Sequence, residues 1–234
     1  MNPWKDLEQV SYINSKLSIM KNQIIIIAAI ALALCSCGGN NTNTTDDTKT
    51  TLFKAQTTLQ DAFPQDCKKI CFQQGDLNND GIHDLVVGAT PRNSESEPVL
   101  AIYFGKEGGE YSLFKEYLNT LPVMDGSTPV TMESEITEKG VLKLDFDYLN
   151  TAGVAPVDNT SFLFRFQDGD FYLIGADWQS YNRITGEVEN VSCNYLTIKQ
   201  QTTISSVDEE VEPTETWTDL PDKPLEKLGD RMLD

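Results

Sequence analysis

The sequence predicts a mainly β domain, built of antiparallel hairpins in a small sandwich or partial-propeller arrangement, with one short N-terminal helix. Three stretches carry that expectation. In "VLKLDFDYL", Leu142, Leu144, Phe146 and Tyr148 alternate with Lys143, Asp145 and Asp147, the two-residue period of a strand with one face in a core and one in water. In "SFLFRFQDGDFYLIGAD", Asp168-Gly169 separates two aromatic runs and suits a tight turn that needs positive φ. In "PVLAIYFGKEGGEYSLFKEY", Gly105-Lys106-Glu107-Gly108-Gly109 supplies a longer turn between two further strands.

Along the chain, "KNQIIIIAAIALALCSC" places Lys21 before an apolar run from Ile24 to Leu34. The run is shorter than the roughly 18 residues a spanning helix needs, so it reads as a secretory signal. Its end resembles a bacterial lipobox, with Leu34, small Ser36 and then Cys37 as the thiol that receives lipid; Cys35 is less usual at its position. Cleavage elsewhere would give a soluble secreted protein. Asp6 and Glu8 do not suit the basic start of a signal, which makes Met20 the expected first residue. Residues 1–36 are thus the signal region, and 37–51, rich in Gly, Asn and Thr, a flexible tether. Residues 52–234 are the single β-rich domain, with a loosely ordered acidic C-terminal end. Within it, "LFKAQTTLQDAF" spaces Leu52, Phe53, Ala55, Leu59 and Phe63 as a short amphipathic helix ending before Pro64. "CNYLTIKQQTTISSV" reads as one long or broken strand, and "ETWTDLP" as a short one.

Hydrophobic residues make up 39% of the 234 and aromatic residues 9%, which suits a folded core. A formal net charge of −18 argues against nucleic acid or anionic lipid headgroups as partners. Outside the signal stand Cys67, Cys71 and Cys193. Cys67 and Cys71 are about 13 Å apart in an extended strand, too far for a disulfide. Either could meet Cys193, or all three are small buried thiols. A single histidine excludes a nitrogen-rich metal site.

The densest chemistry lies in "GDLNNDGIHDLVVGA". Asp76, Asn78, Asp80 and Asp84 offer oxygens at the spacing a hard cation needs, Gly81 permits the reversal, and Ile82 offers its backbone carbonyl. The cation expected is calcium; the same residues would also make a metal-free turn. Val87 stands where an EF-hand needs glutamate, and "DLVVGA" suits a buried strand rather than an exit helix. The segment resembles FG-GAP and VCBS-type repeats, in which such a loop joins two strands and binds calcium. "FGKEGGEYSLFKEY" is similar to the second hairpin of such a unit. From "FPQDCKKICFQQGDLNNDGIHDLVV" to "PLEKL", the order of segments resembles small bacterial lipoproteins and secreted proteins of no known activity. One unit leaves no room for a closed propeller. His83 points away from the ligand positions and is expected at the surface.

The function expected is a lipid-anchored, extracytoplasmic binding or scaffold domain of the bacterial envelope, at the outer membrane, with a structural calcium site. Its partners would be the membrane, through Cys37, and a protein or a glycan; Gly38 and Gly39 after the cysteine resemble outer-membrane sorting. The competing class is a carbohydrate-active enzyme using paired carboxylates such as Asp145 and Asp147.

Overall fold

A computed structural model describes residues 51–92, 97–122, 130–148, 157–208 and 211–233. The apolar run, Cys37 and all of the tether except Thr51 lie outside the described residues. Those from Thr51 onward belong to one compact unit.

Two antiparallel sheets account for the fold. The five-stranded sheet contains β1 (Gln56–Thr58), β2 (Cys67–Gly75), β3 (Asp84–Pro91), β4 (Val99–Gly105) and β5 (Glu110–Leu118), in the order β1-β5-β4-β3-β2. The seven-stranded sheet is an up-and-down meander of β6 (Val130–Ile136), β7 (Val141–Tyr148), β8 (Val157–Gln167), β9 (Asp170–Tyr181), β10 (Glu187–Asn194), β11 (Lys199–Ser206) and β12 (Thr214–Asp219).

The main core lies between the sheets. Val86, Leu100, Ile102 and Tyr117 from the first meet Leu142, Leu144, Phe146, Phe162, Phe164 and Phe171 from the second. The alternation in β7 is therefore real: its apolar members face inward and Lys143, Asp145 and Asp147 outward. Strand β3 does not alternate because both its faces are covered. Val86 enters the main core, while Leu85, Val87 and Ala89 enter a second core beneath Phe53 and Ala62.

Both expected hairpin turns form. Asp168 and Gly169 take φ of 49° and 80°, and Gly108 and Gly109 take 94° and 82°. The stretch from Cys193 is broken, not long. Asn194 Oδ1 accepts from the amides of Leu196 (3.0 Å) and Thr197 (3.1 Å), turning the chain back so that β11 pairs with β10.

One expectation is corrected. Residues 52–63 form no helix. Gln56–Thr58 pairs instead with β5, and the Phe53 amide donates to Glu116 Oε1 at 2.7 Å. An isolated helix this short is marginal in water, whereas the open edge of β5 offers ready backbone partners. Phe53 then stacks edge-on to Tyr103 with ring centroids 6.3 Å apart. The acidic end touches the core at two points. Leu228 and Leu233 are buried in the main core, and their amides donate to Phe171 O (2.9 Å) and Thr120 O (2.8 Å).

Cys67, Cys71 and Cys193 are buried free thiols. Burial pushes the Cys71 and Cys193 thiols up to about 11, which keeps both protonated near neutral pH.

Candidate metal site

The acidic loop, residues 76–83, joins β2 to β3. Leu77 is fully buried in the main core and pins the loop's start. Asn79 and Gly81 take φ of 60° and 85°, so the backbone coils tightly enough for its side chains to fold back on it.

Asp76 Oδ1 and Asn78 Oδ1 both accept from the Asp80 amide, at 3.1 and 3.0 Å. Asp76 Oδ2 accepts from Gly81 N at 2.8 Å, and Asp80 Oδ1 from Ile82 N at 2.8 Å. Asn78 Nδ2 donates to Asp80 Oδ2 at 2.9 Å. Asp76, Asn78 and Asp80 are thus drawn into one network around the Asp80 amide, and each bonded carboxylate oxygen keeps a further lone pair.

Asp84 stands apart. Its side chain is fully buried, Oδ2 accepting from Leu77 N (2.8 Å) and Oδ1 from Gly105 N (2.9 Å). One carboxylate therefore ties the loop's start, the first residue of β3 and the end of β4 together. Burial raises its pKa and the two amides oppose that shift, while the charge of Asp80 adds to it. His83 is exposed, on the outside of the loop.

Two glycines let other turns close on this loop. A Cβ at Gly105 would fall 2.2 Å from His83 O, and one at Gly140 would fall 2.8 Å from Asp76 O. Gly140 belongs to the β6–β7 turn, where its amide donates to Thr137 O at 2.9 Å, so a turn of the seven-stranded sheet rests on a loop of the five-stranded one.

The donors present are all oxygens, which suits calcium and does not suit zinc. Among the described residues, no group of three or more His, Cys, Asp or Glu is gathered for a metal. The loop's donor set is instead mixed, with Asn78 and the Ile82 carbonyl beside the carboxylates. Leu77, Gly105 and Gly140 were not apparent from the motif. Gly105 already stood at the head of a turn, but nothing local in the sequence brings it against His83.

Asp145 and Asp147, the candidate catalytic pair, lie on the outward face of β7. Asp145 accepts from Ser161 Oγ and pairs with Lys143 Nζ at 2.8 Å. Asp147 accepts from Asn159 Nδ2 and from Thr131 Oγ1, the latter at 3.3 Å. Both are committed to neighbours on their own sheet.

Comparison with known proteins finds no matching family model, no matching curated protein and no matching solved structure.

Proposed function

We propose that this chain is a lipid-anchored, extracytoplasmic binding or scaffold domain of the bacterial envelope, with one structural calcium ion in the acidic loop. The observation that carries the calcium reading is the seam: a loop of oxygen donors held by Asp84 to β4 and covered by the turn at Gly140. Asp76, Asn78, Asp80, Asp84 and the Ile82 carbonyl would hold the ion. Its positive charge would relieve the repulsion between Asp80 and Asp84 and fix the hairpin register, a mechanical task with no substrate chemistry. The resemblance of the loop to FG-GAP and VCBS-type repeats points the same way. The enzyme reading has less support, because Asp145 and Asp147 are taken up in cross-strand bonds.

Extracellular calcium modules have dissociation constants on the order of 0.1 to 1 mM, so 1 mM calcium adds roughly 0.4 to 1.4 kcal/mol. Calorimetric titration of the metal-stripped protein is expected to show one calcium site, absent in Asp80→Ala. Absence of binding heat together with an unchanged melting temperature in millimolar calcium would leave the loop a plain turn.

The anchor is tested separately. Cys37→Ala should move the protein from the membrane to the soluble fraction. Metabolic labelling with a fatty acid should mark the wild-type chain and not the variant; an unlabelled wild-type chain contradicts the anchor.

A further inference from the structure

The outward face of the seven-stranded sheet is polar over strands β7 to β12, and although Lys143, Lys199 and Glu215 stand on it, two adjacent rows at its centre carry mainly short polar and amide side chains. Pairing places Ser161, Asp177, Ser192, Gln201 and Trp217 in one row across five strands. Asn159, Gln179, Asn190 and Thr203 form the neighbouring row. A recess of about 200 Å³ opens on this face, lined by both rows from β8 to β11.

The recess is organised. Gln179 Nε2 donates to Asn190 Oδ1 at 2.7 Å, which leaves the Gln179 carbonyl as an acceptor and the Asn190 amide as a donor beyond that pair. Asp177 faces Ser192, and burial raises its carboxyl pKa, with the Ser192 hydrogen bond opposing the shift. At the sheet edge Trp217 is 45% exposed, its indole N–H donating to Glu215 Oε1, so a flat aromatic face borders the polar row.

Sugar hydroxyls both donate and accept, and the C–H face of a pyranose packs on an aromatic ring. We propose that this face binds a neutral glycan, with Asp177, Gln179, Asn190 and Gln201 hydrogen-bonding its hydroxyls and Trp217 carrying a terminal sugar. From Asp177 to Trp217 are three strand spacings, about 14 Å, a span that fits an oligosaccharide rather than a single sugar. Asp145, Asp147, Asp177, Glu215 and Asp219 outnumber Lys143, Arg165 and Lys199 on this face and give it a negative character, so glycans rich in uronic acids are excluded. This inference rests on the domain being a binding module; it does not depend on the calcium ion or the lipid anchor.

Affinity electrophoresis of the full chain in gels containing xyloglucan, galactomannan or arabinoxylan, with polygalacturonate as the anionic comparison, tests it. At least one neutral polysaccharide should retard the protein and polygalacturonate should not. Trp217→Ala should weaken that retardation at least tenfold and Trp217→Phe should restore most of it. Leu59 follows β1 of the five-stranded sheet, does not line the recess and is 42% exposed, so Leu59→Ala should bind as wild type. Far-UV circular dichroism confirms that all three variants fold. No retardation by any neutral polysaccharide, equal retardation by polygalacturonate, or equal losses from Leu59→Ala and Trp217→Ala would each overturn the proposal. Calcium titration and fatty-acid labelling of the same protein distinguish this failure from failure of the site or the anchor.

Discussion

Asp84→Ala is expected to lower the unfolding free energy by about 2 to 5 kcal/mol even without calcium, because it leaves two buried backbone N–H groups, those of Leu77 and Gly105, without an acceptor. Relief of the buried charge offsets part of this, so the loss should lie below the sum for two orphaned donors plus a broken loop. Asp84→Asn keeps one acceptor oxygen but points an N–H₂ at an N–H. It should fall between wild type and alanine. Equilibrium urea unfolding measures all three, and an alanine variant within about 0.5 kcal/mol of wild type would show that this carboxylate does not hold the seam. Asp80→Ala is the contrast, since its side chain is exposed and its loss should mainly remove calcium binding.

Gly105→Ala is expected to cost about 3 kcal/mol through steric conflict. The new methyl would sit 2.2 Å from the His83 carbonyl oxygen and 2.8 Å from Ile82 Cγ2, and the first of these is backbone that cannot rotate away. The strand end must shift, which also stretches the bond from Gly105 N to Asp84. For a unit of this size the loss corresponds to roughly 6 to 12 °C in melting temperature. The two substitutions remove the same link, so the double variant should lose clearly less than the sum of the singles. Strict additivity in thermal or urea unfolding would mean that the two residues act independently.

The parts of the fold that could be read in advance are those whose signal is local. The alternation of Leu142, Leu144 and Phe146 reports one covered face, and Asp168-Gly169 reports a turn, without reference to any distant residue. The helix expected at 52–63 fails for the complementary reason. Five apolar residues in a short segment fit helical spacing, yet the open edge of β5 and the apolar face of β3 and β4 that this segment covers decide their conformation. Near the chain's end, Leu228 and Leu233 are sparse among charged residues, and only the main core shows why they are buried. At the candidate site, the spacing from Asp76 to Asp84 marks the donors, but it does not separate their roles. Asp84 is a buried clamp, whereas Asp76, Asn78 and Asp80 surround an amide nearer the surface. That division depends on Gly105, which is 21 residues further along the chain.

Hydrogen–deuterium exchange of the metal-stripped protein with and without 1 mM calcium addresses the structural calcium site at the level of single segments. Calcium should slow exchange in peptides covering residues 76–84, in the Gly105 amide and in the turn ending at Gly140, and leave β10 to β12 unchanged, because only the former meet at the loop. Unchanged exchange at the loop, or slowing confined to strands remote from it, would contradict a calcium ion that locks this seam.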